Sequence, residues 1–168
     1  MKEIVLRAQA LSSVDFSPFG RAIGRPKAPG TSSGPGWECW FDIATLRNAN
    51  MRLGQVLTQP VSGPITAMER HPDEELLLPV TGPLLQALAK PGVLDNPTQT
   101  PDIDEVVVVR IDPGEAIIIN PGVWHAPAIG LEQESLYFFA ALPHPPEPGR
   151  EASPWISFKG RESLRIDI

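Results

Sequence analysis

The sequence has little cysteine, no basic cluster and no long apolar run, and each shortage excludes a class of protein. Its single cysteine, Cys39, excludes an internal disulfide and is compatible with a reducing compartment. No apolar run reaches transmembrane length, and no secretory signal pattern opens the chain. With 14 Lys and Arg against 20 Asp and Glu, the net charge of −6 disfavours binding to nucleic acid. We therefore expect a cytoplasmic protein that binds neither membranes nor nucleic acid.

Proline and glycine, in contrast, are abundant, with 20 prolines and 14 glycines among 168 residues. Because proline neither sits inside a helix nor donates to a sheet ladder, this frequency leaves little room for long helices and excludes a helical bundle. The hydrophobic fraction of 42% is that of a folded domain rather than a disordered chain. The length is that of one domain with a sizeable core.

Short apolar segments divided by Gly/Pro turns predict an all-β sandwich or barrel. The only helix candidate is short, at 42–48, and the Pro-, Gly- and Ser-rich stretch 25–36 is predicted as a surface loop or, alternatively, a mobile lid. The predicted strands are 3–8, 37–44, 53–58, 65–70, 75–80, 84–89, 106–111, 116–120 and 136–142.

Two of the three histidines lie at predicted strand ends near carboxylates. Glu69 and His71 are two residues apart, so in a strand they face the same way while Arg70 faces the other. Glu75 follows four residues later, and His125 follows a Pro/Gly turn after a second strand. Imidazole and carboxylate ligands together suit Zn, Ni, Mn or Fe(II). Taken separately, each half is also explained by a hydrogen-bonded structural histidine and a solvated glutamate.

The spacing of the two halves resembles the paired motifs of the cupin superfamily. This resemblance implies a small double-stranded β-helix, or jelly-roll barrel, with few short helices. Glu69 stands where the first motif has its first histidine, and Asn120 stands where the second motif has its proline. The positions that fall on the two motifs are Gly63, Glu69, His71, Glu75, Gly82, Gly114, Gly122 and His125.

Within the cupins, the chain resembles the ureidoglycolate lyase family, also called ureidoglycolate hydrolase. The residues that carry this resemblance are 16–23, Gln59-Pro60, 69–72, 78–82, 123–125 and Pro127. It implies one cupin domain over 1–168, in which N-terminal strands in 1–60 are added to a core barrel at 61–142 and a tail follows at 143–168.

The resemblance also implies an activity, the cleavage of ureidoglycolate into glyoxylate and urea with a bound Ni, Zn, Mn or Fe ion. It assigns Glu69, His71 and His125 as ligands, and Glu75 as a fourth ligand or the general base, with Glu69 and Glu75 as the catalytic carboxylates. It further implies a small-molecule substrate and a homodimer. The substrate-binding candidates are Arg70, Asn120, Trp124 and Tyr137, although Trp124 and Tyr137 are also expected as packing residues.

The sequence departs from the family pattern at several positions that are polar in other members. Leu57-Thr58 stands where an arginine is usual, Ile118-Ile119 precedes the turn in place of an Asn-Tyr pair, and Glu75 replaces a frequent glutamine. A lost arginine removes a bidentate contact to a substrate carboxylate. Two alternatives therefore remain open: another metal-dependent cupin reaction, such as isomerisation or oxygenation, and a non-catalytic cupin that binds a small ligand.

Overall fold

The computed structural model describes residues 2–24, 26–60, 63–142 and 155–167, and its regular structure is almost entirely β. Of the tail predicted at 143–168, residues 143–154 and 168 lie outside the described residues. In the described ranges, no helix is long and apolar enough to cross a membrane. The strands are β1 Glu3–Arg7, β2 Gln9–Ala10, β3 Gly20–Ile23, β4 Ser32–Gly34, β5 Trp37–Cys39, β6 Arg52–Thr58, β7 Ala67–Met68, β8 Glu75–Pro79, β9 Leu84–Pro91, β10 Val107–Ile111, β11 Ala116–Ile119, β12 Val123–His125, β13 Ile129–Gly130, β14 Ser135–Ala141, β15 Ile156–Ser157 and β16 Ser163–Asp167. Single 3₁₀ turns lie at Leu11–Ser13, Ile103–Glu105 and Lys159–Arg161.

Two five-stranded sheets form the barrel, which confirms the all-β prediction. The first sheet has the order β12-β9-β10-β2, and β13 also pairs with β9. The second sheet has the order β3-β11-β8-β14-β6. From β8 to β14 the chain passes repeatedly from one sheet to the other: β8, β11 and β14 lie in the second sheet, and the pairs β9–β10 and β12–β13 between them lie in the first. This alternation is the arrangement of a double-stranded β-helix.

The space between the two sheets is filled by one apolar cluster. Leu77 and Ile117 reach it from the second sheet, and Leu88 and Val109 reach it from the first. Phe16 and Phe19, from the turn before β3, close one side of the cluster, and the Phe19 amide donates to the Phe16 carbonyl at 3.0 Å. Burial of such side chains contributes about 25 cal/mol per Å² of apolar surface removed from water.

A second apolar cluster covers the outer face of the first sheet. The parallel pair of β1 and β16 packs there, with Leu164 and Ile166 against Leu85 and Val108. Strand β9 is consequently buried on both faces from Leu84 through Ala89. This double burial explains why its sequence is a continuous apolar run interrupted only by Gln86, whose side-chain amide donates to the Ala126 carbonyl at 2.6 Å.

The outer face of the second sheet is covered only in part. Segment 43–46 lies across it and lines an open cavity of about 300 Å³ whose walls also include Ile23, Leu76 and Ile118. Beyond this segment, Leu53 and Leu57 of β6 are 69% and 57% exposed. Leu57 therefore lies outside the barrel, whereas the side chain of the next residue, Thr58, donates to the Ala128 carbonyl at 2.9 Å.

Residues 42–48 are not helical, which corrects the sequence prediction. Asp42 has a left-handed φ of 59°, and the backbone groups of the segment bond to side chains of the barrel. The Thr45 carbonyl accepts from Arg21 at 2.6 Å, and the Arg47 amide donates to Glu74 at 2.8 Å. These bonds use the backbone groups that a helix would pair internally. The predicted loop at 25–36 likewise contains β4, which forms a hairpin with β5.

Glu74 anchors this segment as a buried carboxylate that the sequence analysis does not single out. Its side chain is 2% exposed and contacts the guanidinium groups of Arg21 at 2.9 Å and Arg47 at 3.3 Å. We expect Glu74→Gln to lower the free energy of unfolding by about 1–3 kcal/mol, because two arginine contacts lose their charged partner. Urea denaturation measures this change.

Glu105→Gln is the matched control, since Glu105 forms an exposed pair with Lys90 at 2.7 Å. Its effect should stay within about 0.5 kcal/mol. Equal stability of Glu74→Gln and wild type would contradict the anchoring role of Glu74.

Candidate metal centre

The candidate site begins with a backbone pair between Glu69 and His125. The Glu69 amide donates to the His125 carbonyl at 2.9 Å, and the His125 amide donates to the Glu69 carbonyl at 2.8 Å. This isolated antiparallel bridge joins the residue that follows β7 to the last residue of β12. It brings the two halves predicted from the sequence to the same end of the barrel.

A glycine turn aligns the next residue of the site. Gly122 has a φ of 78°, a left-handed conformation that favours glycine, and its amide donates to the His71 carbonyl at 2.8 Å. His71 is thereby held beside the turn that leads into β12. Glu75 begins β8, where its register partner is Ile119 of β11.

The side chains of Glu69, His71 and His125 converge. One potential ligand atom from each lies within 4.8 Å of the others. Glu69 Oε1 is 3.8 Å from His71 Nε2 and 3.9 Å from His125 Nε2, and the two imidazole centroids are 5.0 Å apart. Glu75 lies beside this trio, with Oε2 at 3.3 Å from His125 Nε2 and 3.8 Å from His71 Nε2.

One tautomer of His125 directs an unprotonated nitrogen at the cluster. Its Nδ1 lies 3.0 Å from the Val123 carbonyl, which can only accept, so Nδ1 carries the proton. Nε2 is then a free acceptor or ligand atom. Carbonyl or carboxylate contacts of this kind orient the histidine ligands of metal sites.

Burial and the two carboxylates change the protonation behaviour of the site. Burial by itself lowers the pKa of His125, but the Glu75 and Glu69 carboxylates outweigh it and raise the pKa above 6.5. Burial, with a contribution from Glu75, raises the pKa of Glu69, and His125 opposes this shift. Burial and the same two carboxylates raise the pKa of Tyr137 to about 12, so its phenol stays protonated.

Two buried polar atoms of the cluster support a bound cation. In the described part of the chain, His125 Nε2 and Glu75 Oε2 have no hydrogen-bond partner, although neither is exposed to solvent. Leaving such an atom unsatisfied costs about 1–3 kcal/mol. A divalent cation would satisfy both atoms at once, and imidazole with carboxylate is a donor set that such cations prefer. The residues present therefore fit a metal ion.

The four predicted substrate-binding residues do not all lie near the cluster. Tyr137 lies in the interior core, close enough to Glu69 and Glu75 for their charges to affect it. Asn120 lies in the turn before β12, where its carbonyl accepts from the Val123 amide at 3.3 Å. Arg70 and Trp124 lie on the opposite face and contact each other, so the structure does not bring them to the cluster.

The cavity on the outer face of the second sheet is separate from this cluster. None of the four clustered residues lines it, and its walls are predominantly apolar. Its position follows from the way segment 43–46 crosses the sheet. We place the candidate site at the histidine and glutamate cluster because only there do ligand atoms converge among the described residues.

This two-sheet barrel, with two histidines and two glutamates at one end of its strands, has the double-stranded β-helix fold expected of a cupin. Residues 3–149 match the sequence model of the family described as "Ureidoglycolate lyase". The chain therefore belongs to the ureidoglycolate lyase family. No curated protein sequence matches the chain.

Several solved structures are similar to the chain. A dTDP sugar isomerase from Desulfovibrio desulfuricans G20 is 14% identical with a TM-score of 0.47, covering 76% of this chain and 81% of its own. RmlC from Streptococcus suis is 11% identical with a TM-score of 0.43, covering 70% and 61%. Peruvianin-I, a cysteine peptidase from Thevetia peruviana latex, is 17% identical with a TM-score of 0.39, covering 54% of this chain. The chain spans about half the length of Peruvianin-I, 49%.

The raised pKa of His125 gives a first prediction for the site. In the metal-free protein, we expect the His125 imidazole to titrate above 6.5, and Glu75→Gln to lower its pKa because one of the two stabilising carboxylates is lost. An NMR titration of the imidazole protons, assigned with His71→Ala, measures both values. Since protons compete with a metal for Nε2, Zn²⁺ affinity should fall as the pH drops through the wild-type pKa.

Glu105→Gln is again the control, because Glu105 is exposed and pairs with Lys90. It should leave the titration of His125 unchanged. An unchanged His125 pKa in Glu75→Gln would show that Glu75 does not act on this imidazole.

Proposed function

We propose that the chain is a metal-dependent lyase that cleaves a carbon–nitrogen bond of a small ureido or hydroxy acid, with ureidoglycolate giving glyoxylate and urea. Membership of the ureidoglycolate lyase family supports the reaction class. The observation that carries the proposal for this chain is the convergence of the side chains of Glu69, His71 and His125. Two buried atoms of the cluster, His125 Nε2 and Glu75 Oε2, have no hydrogen-bond partner among the described residues. A cytoplasmic location, expected from the single free cysteine, is part of the same proposal.

In this proposal Glu69, His71 and His125 hold the cation, and Glu75 is either a fourth ligand or the general base. Ni, Zn, Mn and Fe are the candidate metals, since the donor set suits all four. When bound, the cation would lower the pKa of a substrate hydroxyl and fix the substrate's orientation.

The carboxylates supply the proton transfers of the reaction. Glu75 accepts the proton of the substrate hydroxyl while the carbonyl of glyoxylate forms and the electron pair of the broken carbon–nitrogen bond goes to the urea nitrogen. The same proton, returned to that nitrogen, completes urea and leaves Glu75 ionised again. Glu69, whose pKa is raised by burial, is the second carboxylate able to hold a proton in this interior.

Two neutral side chains are proposed to orient the substrate. Tyr137 keeps its phenolic proton, because its pKa is about 12, and can donate a hydrogen bond toward the cluster. Asn120 follows Ile119, the register partner of Glu75, and its amide is proposed to bind the substrate from the turn before β12. We do not assign Arg70 and Trp124 to substrate binding, because they contact each other on the other face of the ligand segments.

Metal content and urea release test this function. Elemental analysis of protein incubated with each of the four metals and then desalted should find a stoichiometric ion in wild type and none in the Glu69→Ala, His125→Ala double variant. The metal-loaded wild type should release urea from ureidoglycolate. Glu75→Gln should lower kcat by about a hundredfold or more, the usual loss of a general base.

Glu105→Gln should retain both the metal and the activity. A wild-type protein that retains no divalent ion would contradict the metalloenzyme proposal. A wild-type protein that retains the ion but releases no urea would exclude the lyase reaction and leave the metal site standing.

A second candidate function follows from the composition of the trio. Two histidines and one carboxylate are also the ligand set of many non-haem Fe(II) oxygenases. Under this alternative the iron-loaded protein would consume dioxygen with an organic co-substrate and release no urea. Measuring urea release and dioxygen uptake on the same iron-loaded sample separates the two reactions.

We further propose that two copies of the chain form a dimer, as the family resemblance implies, and that they meet at the outer face and edge of the second sheet. Leu53, Leu57 and Leu78 are exposed on strands of this sheet, and Val80 is exposed directly after β8. Exposed apolar side chains gathered on one face are typical of interaction surfaces. β6 is the last strand in the order of its sheet, and among the described residues it pairs only with β14. A second copy would cover both the exposed apolar side chains and this edge.

Sedimentation velocity tests the pairing. Wild type should sediment as a dimer at micromolar concentration, and Leu57→Asp should sediment as a monomer, because a charge would be buried in the interface. Val93→Asp, at an exposed apolar residue of a loop outside this sheet, should remain a dimer. A monomeric wild type would overturn the proposal.

A further inference from the structure

Arg70 lies between two candidate ligands, Glu69 and His71, yet its side chain points away from both. Its guanidinium carbon is 4.3 Å from the ring centroid of Trp124, the residue that precedes the third ligand, His125. Because neighbours in an extended chain face opposite ways, one face of these two segments carries the ligands and the other carries the Arg70–Trp124 contact. The contact therefore joins the two segments from behind the site.

The loop after β9 completes the surroundings of this arginine. Arg70 Nη1 donates to Gln99 Oε1 at 2.9 Å, and Nη2 donates to the Asn96 carbonyl at 2.6 Å. Gln99 Oε1 also accepts from the Val93 amide at 2.6 Å, so the acceptor is itself held in place. The guanidinium thus has an aromatic face on one side and two fixed acceptors at its edge.

Gly92 allows these groups to approach so closely. A Cβ at this position would contact the Arg70 guanidinium and would lie 2.8 Å from both Gln99 Oε1 and Trp124 Nε1. The Gly92 amide also donates to the Gly122 carbonyl at 2.8 Å, in the turn that leads to His125. The loop is therefore attached to both ligand segments, to one through Arg70 and to the other through Gly122.

We propose that Arg70 is a positioning residue that clamps the Glu69–His71 segment to β12 and so sets how tightly the site holds a divalent cation. This inference rests on the proposed metal site. Backbone bonds between Glu69 and His125 and from the Gly122 amide to the His71 carbonyl set the spacing of the two segments, and the Arg70 contacts add side-chain restraints on the opposite face. A planar group held at its face and at two edge nitrogens resists a tilt of one segment relative to the other, because both segments must move with it. Residues that support metal ligands in this way usually affect affinity by about 10- to 100-fold.

The clamp depends on the shape of the guanidinium and not only on its charge. Its partners in the described structure are a neutral amide oxygen, a carbonyl oxygen and an indole ring. Lysine offers a point charge with no planar face and cannot keep all three contacts at once. The two variants Arg70→Met and Arg70→Lys therefore separate the clamp from a simple positive charge behind two carboxylates.

Co²⁺ alone is a suitable probe, since its visible absorption reports coordination geometry as well as occupancy. In the full chain, Arg70→Met should bind Co²⁺ about tenfold or more weakly than wild type and show a changed spectrum. Arg70→Lys should bind Co²⁺ nearly as weakly as Arg70→Met. Arg110→Met is the matched control, because Arg110 pairs with Asp112 at 2.9 Å on a strand that carries no candidate ligand, and it should bind like wild type.

Wild-type affinity and spectrum in Arg70→Met would overturn the inference while leaving the metal site intact. Wild-type Co²⁺ affinity in Arg70→Lys would also overturn the inference, because it would show that a positive charge at this position is sufficient. If wild type binds no Co²⁺, the proposed metal site fails and this inference fails with it. If Arg70→Met does not fold, judged by circular dichroism of the metal-free protein, Gln99→Leu decides instead. It removes the acceptor of both Arg70 and the Val93 amide, and we expect an affinity loss of about threefold from the lost bond to Arg70. Unchanged affinity there would overturn the clamp.

Discussion

Two hydrogen bonds between the backbones of Glu69 and His125 hold the candidate site together. They join chain segments that are far apart in sequence and set both at the same end of the barrel. Side-chain alternation then gives each segment two faces, one for the ligands and one for Arg70 and Trp124. The glycine turn beside His71 adds a third backbone bond between the same segments, and the pairing of β8 with β11 brings Glu75 to them.

The site concentrates polar groups in an otherwise apolar interior. Two carboxylates and two imidazoles meet at the edge of a core built from aliphatic side chains of both sheets. Such burial is costly for charged groups, and the cost appears as unsatisfied atoms on His125 and Glu75. A fold tolerates this cost where a ligand offsets it, which favours the cluster over the apolar cavity beside segment 43–46 as the functional site.

Much of the fold could be predicted from local pattern. Strands such as 84–89 and 136–142 were predicted to within a few residues, because apolar runs bounded by Gly and Pro leave few other conformations. The prediction of a helix at 42–48 was wrong, because Arg21 and Glu74 from the barrel bind the backbone groups that a helix would pair internally. Tertiary contacts of this kind leave no local pattern in the sequence.

The sequence by itself determined the class of the fold and the chemical types at the site, because strand periodicity and the spacing of Glu69, His71 and His125 are properties of the chain alone. Only the tertiary structure decided which groups meet. It turned Arg70 toward Trp124, put Leu57 on the outer face and set Tyr137 beside the carboxylates. The physical reason is that alternation predicts which residues share a face of one strand, whereas packing of the sheets determines what that face meets.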